Sequence, residues 1–265
     1  MKRRQRTMMI AAISIIAVMV TGCGAQGNAN SNVTTPQNTD RVGEIIQFGS
    51  YEQDNDLSNG AEPIEWEVVG TRDGHTLLLS KYALECKKYN DNSGSITWEN
   101  CTLREWLNND FYNTAFSDTE KKRIATVFNE NPDSYELYKP WLFELGSTYG
   151  AEGGNTTRDN VFLLSWTEAR DFLNGKLYDQ KIGGKNYNQK LICKPTAYAR
   201  ARGAWAANYT GGSEYPNDVD GCCCWWLRSP GSFRNEATHV FADGDIEEAS
   251  VNRGDFAVRP AILID

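Results

Sequence analysis

The residues best suited to nucleophilic chemistry are three consecutive cysteines in the last fifth of the chain, Cys222, Cys223 and Cys224. His239 follows them and could serve as the base that a reactive thiol needs. The alternative is a structural role, because cysteines outside the cytoplasm are commonly oxidised and structural rather than catalytic. The sequence alone therefore assigns no catalytic residue.

Cysteines also raise the question of disulfides and of zinc. Besides Cys23 there are six cysteines, an even number that permits disulfides in an oxidising compartment. Cys86 and Cys101 could close a loop around a turn-rich segment, and we predict structural roles for both, while the pairing of the six stays open. A zinc site is not predicted, because two CxxC pairs are absent and both histidines, His75 and His239, lie in strand-like segments.

Loop oxygens could bind calcium, which takes several carboxylate and amide ligands. Asn217, Asp218 and Asp220 are the candidates. The same residue types form turns without any metal, and that is the alternative. No cofactor is expected on this basis, and calcium is the one ion that these residues leave open.

The segment from Ser232 to Asp255 alternates polar or aromatic side chains with small apolar ones. In strands, such alternation places one set of side chains on a single face. We predict that this set lies outward, with a plain solvated sheet face as the alternative to a binding face. Its candidate members are Arg234, Asn235, Glu236, Thr238, His239, Phe241, Asp243, Asn252 and Arg253.

Three large side chains near this segment, Trp226, Arg228 and Arg259, could stack on a sugar or bind a carboxylate. Because their segments are strand-like, we interpret them instead as structural residues. The tryptophan would fill the core, and the arginines would pair with buried acids or carbonyl groups.

Short strands separated by turns must position these residues. Alternating patterns predict strands at 44–49, 64–70 and 75–80, and the turn at Asp73-Gly74 predicts a hairpin from Trp66 to Ser80. Strand-like stretches return at 161–164 and from Trp225 to the C-terminus.

Three short helices are predicted between the strands. Thr102, Ser117 and Ser165 each precede a glutamate by three residues, which is the capping-box pattern of a helix start. Asn108 and Asn109 are expected to end the first helix. With antiparallel strands at both ends and short helices between, the sequence predicts the α+β class.

The N-terminus has the layout of a bacterial signal peptide: a cationic start, then an apolar stretch from Met8 to Val20. That stretch has about 13 residues, fewer than the roughly 20 that span a bilayer. It ends in Val-Thr-Gly-Cys, which resembles the lipobox of bacterial lipoproteins and implies a diacylglycerol on Cys23. We expect a cleaved leader (1–22), a polar lipidated tether (23–41) and a single folded domain (42–265), anchored in the cell membrane and facing outside the cytoplasm.

The chain is acidic, with 27 basic and 35 acidic side chains. Cleavage before Cys23 would remove four of the basic ones and none of the acidic ones. Nucleic acid is therefore not an expected partner, because binding to phosphates requires a basic surface. The expected partners are the membrane, through the lipid, and a ligand at the cell surface.

Several motifs in order along the chain resemble a family of secreted Gram-positive and gut-bacterial proteins that is defined as a domain of unknown function. They are Phe48-Gly49-Ser50-Tyr51, Leu103-Arg104-Glu105-Trp106-Leu107-Asn108, Trp226-Leu227-Arg228-Ser229-Pro230-Gly231 and Val258-Arg259-Pro260-Ala261.

The C-terminal third is similar in arrangement to C-type-lectin-like folds, including relatives of formylglycine-generating enzymes and variable proteins diversified by retroelements. Ala257-Val258-Arg259 stands where those folds usually have Gly-Val-Arg. The resemblance implies that the outward C-terminal face binds a ligand, so we expect a surface binding module for a glycan or protein. An extracytoplasmic enzyme using the cysteines or paired acids, and an envelope structural protein, are the alternatives.

Overall fold

The computed structural model describes residues 41–138, 150–171, 180–182, 185–208 and 217–265. The predicted leader, Cys23 and all of the predicted tether except Arg41 lie outside these residues. In the part that is described, no helix is both long enough and apolar enough to span a membrane.

Short strands and short helices make up the described chain. The strands are β1 Ile45–Tyr51, β2 Glu62–Arg72, β3 His75–Ser80, β4 Glu85–Cys86, β5 Val127–Asn129, β6 Thr157–Asp159, β7 Gln180–Ile182, β8 Lys185–Tyr187, β9 Trp225–Pro230, β10 Glu236–Val240, β11 Ile246–Ser250, β12 Ala257–Val258 and β13 Ala261–Ile264. The α-helices are α1 Thr102–Trp106, α2 Tyr112–Ala115, α3 Asp118–Lys121, α4 Ser134–Tyr138, α5 Trp166–Asp171 and α6 Ala197–Ala201, and 3-10 turns lie at Trp98–Asn100 and Asn217–Val219. The chain is thus a mixed, sheet-rich α+β protein with its short helices in the middle of the sequence.

A four-stranded antiparallel sheet joins the two ends of the folded chain, in the order β1-β2-β3-β13. In β2 the alternate residues Ile64, Trp66 and Val68 are fully buried, as expected for a strand with one face on the core. The last strand, β13, pairs with β3 so that Ala261 lies opposite Leu79.

A five-stranded sheet has the order β11-β10-β9-β12-β4 and carries the C-terminal third of the chain. Its pairings are antiparallel except that β12 runs parallel to β9. Every residue of β9 is buried, because this central strand is covered on both faces. The largest buried side chains include Trp66, Trp98, Trp225 and Trp226.

The hairpin predicted from Trp66 to Ser80 is confirmed. Strands β2 and β3 pair antiparallel, with Trp66 opposite Ser80. Asp73 and Gly74 both have positive φ angles, 53° and 85°. Two consecutive left-handed residues are what a two-residue turn of type I′ requires, and an Asp-Gly pair supplies them readily.

The capping boxes are confirmed at two of the three predicted helix starts. Ser117 exchanges both hydrogen bonds with Glu120, and Ser165 does so with Glu168. The third is wrong, because α1 is capped by the sulfur of Cys101, which accepts the Arg104 N–H at 3.4 Å.

The expected end of the first helix at Asn108 and Asn109 is also wrong. The helix continues through a π-helical turn, Leu107–Phe111, into α2. The Asn108 side chain does not cap the helix; it binds the backbone of Asn160 and Val161 at 2.8–3.2 Å. Its hydrogen bonds thereby tie the helix to another segment.

The strand predicted at 161–164 is reduced to an isolated bridge between Phe162 and Ala261. The backbone groups of this segment form hydrogen bonds with several different partners and do not pair along one neighbouring strand. Asn108 donates to the Val161 carbonyl, and Arg228 donates to the carbonyls of Leu163 and Leu164. All four residues are fully buried, so the apolar run reflects core burial rather than strand structure.

Candidate functional site

A cavity of about 340 Å³ opens beside the β10–β11 hairpin. We call it the hairpin pocket. Its lining includes Trp205, His239, Phe241, Glu247, Arg253 and Asp255. Three of these side chains, those of His239, Phe241 and Arg253, belong to the binding face predicted from the sequence.

The hairpin itself positions one wall of the pocket. His239 on β10 lies directly opposite Glu247 on β11, so both side chains share a face of the sheet. The turn is closed by a hydrogen bond from the Phe241 N–H to the Asp245 carbonyl at 2.7 Å. Gly244 is required there, because its φ is +84° and a Cβ would lie 2.2 Å from the Asn188 carbonyl oxygen.

An aromatic platform forms the mouth of the pocket. The rings of Trp205 and Phe241 stack with centroids 5.8 Å apart and planes 27° apart. Trp205 is 38% exposed, whereas the tryptophans of the core are fully buried. Its backbone N–H donates to the Asp255 carbonyl at 2.9 Å, which holds the platform beside the opposite wall. A partly exposed indole on a cavity offers a flat apolar surface to a ligand.

Carboxylates outnumber cations in the pocket. Glu247, Glu248 and Asp255 line it, with Arg253 as the guanidinium among the lining residues. Arg253 is engaged in two hydrogen bonds to Asp255, at 2.9 and 2.7 Å, which lower the pKa of that carboxyl group. Burial, together with the nearby carboxylates of Asp245 and Asp243, raises the pKa of Glu247. The pocket therefore presents an excess of negative charge and of oxygen acceptors.

His239 forms part of the floor as a neutral imidazole. It is 2% exposed, and its ring lies 4.4 Å from that of Phe256 and 6.1 Å from that of Trp226. Burial, assisted by the charge of Arg253, lowers the pKa of His239 to about 3. Its Nε2 is 3.9 Å from Glu247, and its buried Nδ1 has no hydrogen-bond partner among the residues that the structure describes.

Cys224 also lines the pocket, but its surroundings disfavour a reactive thiolate. Burial, followed by the carboxylates of Glu247 and Asp255, raises the pKa of Cys224 to about 12. An activated cysteine instead needs a nearby cation to stabilise the thiolate. Burial therefore disfavours both the thiolate of Cys224 and the imidazolium of His239, the charged forms that a catalytic thiol–imidazole pair would use.

The other predicted members of the binding face are dispersed. The expectation that the whole face lies outward is wrong for Thr238, His239 and Asp243, which are 1%, 2% and 4% exposed. Thr238 donates to the Ser229 carbonyl at 3.0 Å, and Asp243 accepts the Asp245 N–H in the hairpin turn at 2.9 Å. Both side chains are buried and form hydrogen bonds with backbone groups instead of facing solvent.

Four further candidates lie outside the lining of the hairpin pocket. Arg234 borders a second cavity of about 210 Å³ and pairs with Glu152 at 3.3 Å, both side chains being exposed. Asn235 is exposed, Glu236 is half-buried, and Asn252 accepts a hydrogen bond from Ser250 at 2.9 Å. The predicted face is therefore split: three members line the hairpin pocket, Arg234 borders another cavity, and the remaining members line neither of these two cavities.

Among the described residues, the calcium candidates form no group of three metal-ligating side chains. Asp218 accepts hydrogen bonds from the Tyr187 hydroxyl and from Gln189, and Asp220 is exposed. The side chain of Asn217 lies outside the described part.

Three other carboxylates, those of Glu52, Asp54 and Glu62, have oxygens within 4.8 Å of one another. Glu52 and Asp54 lie on the loop after β1, and Glu62 is the first residue of β2. Glu62 and Asp54 already accept backbone N–H groups of that loop.

The residues interpreted as structural are buried. Trp226 is fully buried and donates to the Lys87 carbonyl at 2.9 Å. Arg228 donates to the Leu163 carbonyl at 2.8 Å and pairs with Glu168. The Arg259 Nε donates to the Ser80 carbonyl at 2.8 Å, with its guanidinium 5.1 Å from the centre of the Trp225 ring.

Cys86 and Cys101 are both buried and are not joined to each other. Cys86 donates to the Gly254 carbonyl at 3.3 Å, and Cys101 caps α1. All six cysteines of the described residues are free thiols.

Trp205, like Glu248 and Phe256, is a site residue that the sequence did not single out. It lies between Ala204 and Ala206, after the end of α6, in a stretch without periodicity. A lone tryptophan flanked by alanines outside any regular element is the one signal that could have drawn attention to it.

Comparison with known proteins gives a family for the chain. No curated protein and no solved structure matches it. A model of the family described as domain of unknown function DUF6273 matches residues 73–265, which is more than half of the sequence and contains the whole hairpin pocket. The chain therefore belongs to the DUF6273 family.

Proposed function

We propose that the protein is a lipid-anchored bacterial surface protein whose hairpin pocket binds a sugar ring of a glycan. The observation that carries this proposal is the partly exposed Trp205, stacked on Phe241 at the mouth of a cavity lined with carboxylates.

Aromatic and charged groups in this combination suit a carbohydrate. A sugar ring has an apolar C–H face that packs against an aromatic ring, while its edge carries hydroxyl groups. The hydroxyls can donate to Glu247 and Glu248, and charge-assisted hydrogen bonds of this kind are the stronger ones. The volume of about 340 Å³ is at the lower end of the range for small-ligand sites. It suits one end of a glycan rather than a long stretch of chain.

The excess of carboxylates also selects among glycans. A sulfated, sialylated or uronic-acid glycan would place a negative charge beside Glu247 and Glu248, with Arg253 already bound to Asp255. Like charges at close range are repelled, most strongly where water is excluded. The ligand is therefore a neutral glycan or one that carries an amino group.

A C-type-lectin-like arrangement of the domain belongs to the same proposal. It is supported by the C-terminal strand β13, which closes the four-stranded sheet against β3, and by the ligand face expected on the C-terminal strands. The lipobox-like Val-Thr-Gly-Cys and the polar segment behind it support display on a tether outside the membrane.

Binding of fluorescent oligosaccharides to the full chain in detergent micelles tests the proposal. Three ligand sets of equal length are compared: neutral, amino-bearing and anionic. Saturable binding of a neutral or amino-bearing set, with weaker binding of the anionic set, supports it. Absence of binding by all three sets, or tighter binding of the anionic set, contradicts it.

A further inference from the structure

Two cysteines from distant parts of the sequence lie side by side inside the protein. The Cys223 N–H donates to the Cys193 carbonyl at 2.8 Å, and both side chains belong to the same buried cluster. The Cys193 thiol is within 3.7 and 3.6 Å of the carbonyl oxygens of Lys81 and Lys194. Cys193 is 3% exposed and Cys223 is fully buried. Neither residue lines the hairpin pocket, so the pair is separate from the proposed binding site.

The backbone hydrogen bond between Cys193 and Cys223 favours a spacing that a disulfide can bridge. Segments joined by an N–H···O bond have paired Cα atoms about 5 Å apart. Disulfides bridge Cα separations of roughly 4.4–6.8 Å. The bond would cross-link the end of the 188–195 segment, which is hydrogen-bonded to Ala83, and the residue that leads into β9.

The two thiols differ in acidity. Burial alone would raise the pKa of Cys193, but the adjacent Cys223 and the charge of Arg259 outweigh it and lower the pKa to about 7. Burial and the neighbouring Cys193 raise the pKa of Cys223. Since the thiolate is the form that attacks a disulfide, Cys193 is suited to react first.

The other four cysteines have different partners. Cys222 donates to the Asp218 carbonyl at 3.2 Å, and burial raises its pKa to about 11. Cys224 faces the hairpin pocket, while Cys86 and Cys101 bind backbone groups elsewhere. Among the described residues, no three cysteines bring their sulfurs within metal-binding distance of one another.

We propose that Cys193 and Cys223 form a structural disulfide when the protein folds outside the cytoplasm; this rests on the export proposed above. The Cys193 thiolate attacks the disulfide of a thiol–disulfide oxidoreductase, giving a mixed disulfide and releasing one thiol of the oxidant. Cys223 then loses its proton and attacks the Cys193 sulfur, expelling the second thiol. The chain loses two protons and two electrons, and the oxidant disulfide becomes two thiols.

Mass spectrometry of the full chain, produced with its own leader in a bacterial host, tests the pairing. The protein is denatured without reductant, and free thiols are blocked with N-ethylmaleimide. Trypsin then gives a peptide 191–200 that contains Cys193, because Lys194 precedes proline, and a peptide 203–228 that contains the whole cysteine triplet. The expected result is a covalent link between these two peptides, lost on reduction.

Because Cys222, Cys223 and Cys224 lie in the same tryptic peptide, single variants are needed to show which of them forms the link. The link should disappear in Cys223→Ser and persist in the matched controls Cys222→Ser and Cys224→Ser. A link that survives Cys223→Ser, or a wild-type chain in which both Cys193 and Cys223 carry N-ethylmaleimide, overturns the proposal.

A second experiment separates the pairing from the export. The reduced full chain is folded in a buffer of reduced and oxidised glutathione, whose disulfide takes the place of the oxidoreductase. A link in this buffer but not in the cell-derived protein supports the pairing and counts against export. Absence of the link under both conditions overturns the pairing itself.

Discussion

Replacement of Trp205 by alanine is the substitution that bears most directly on the proposed pocket. It removes the exposed indole from the platform and leaves Phe241 behind it. We expect weaker glycan binding because the sugar loses its apolar contact surface, while the carboxylates of the pocket remain in place.

The magnitude follows from the exposure of the side chain. Trp205 is 38% exposed, and a tryptophan has roughly 250 Å² to bury, so about 95 Å² is open to a ligand. At about 25 cal/mol per Å², complete coverage contributes about 2.4 kcal/mol. A ring that covers only part of this surface contributes less, so the expected loss is about 1.4–2.4 kcal/mol, or roughly ten- to fiftyfold in Kd.

The assay is a fluorescence titration of the wild type, Trp205→Ala and Trp205→Phe. The phenylalanine variant keeps a ring and should retain more affinity than the alanine variant. Phe128→Ala is the control, since Phe128 is 67% exposed and lies outside the hairpin pocket. Unchanged Kd in a folded Trp205→Ala protein would refute the assignment of the platform.

Three further outcomes follow from the same geometry. Chelation with EDTA should leave glycan binding unchanged in the titration, because the pocket binds through aromatic and carboxylate contacts without calcium. Burial lowers the pKa of His239 to about 3 from its ordinary 6.5, so below pH 6.5 the unfolded chain takes up a proton that the folded one does not. The free energy of unfolding should therefore fall by about 1.4 kcal/mol per pH unit toward pH 3. In His239→Gln, the free energies measured by urea titration at several pH values should depend less steeply on pH. Arg228→Met should lower the free energy of unfolding measured in urea, by up to about 3 kcal/mol, because Glu168 loses its buried partner and keeps the ion pair with Arg72 at 3.1 Å. Arg234→Met, at an exposed ion pair, should change the free energy of unfolding little.

Much of the fold could be predicted from local signals. The hairpin of β2 and β3 was predicted correctly from the Asp73-Gly74 turn and the alternation in β2, because both signals depend on neighbouring residues alone. The capping boxes at Ser117 and Ser165 succeeded for the same reason.

The predictions that failed depended on partners far away in sequence. Asn108 was expected to end a helix, but its amide binds residues 160 and 161, which local pattern cannot reveal. The apolar run at 161–164 looks the same whether it lies in a strand or is buried as an irregular segment.

The candidate site was only partly predictable. Alternation identified His239 and Phe241, since both lie on or beside β10, but it also included Thr238, which the hairpin buries. The platform depends on Trp205, which reaches the pocket from a segment on the other side of the cysteine triplet. Only tertiary packing brings Trp205 next to Phe241.

A structure of the full chain with a bound neutral or amino-bearing oligosaccharide tests the central claim most directly. The proposal predicts a sugar ring packed against Trp205, with a hydroxyl or amino group within hydrogen-bonding distance of Glu247. A glycan bound elsewhere, for example in the cavity beside Arg234, with the hairpin pocket empty, would contradict it.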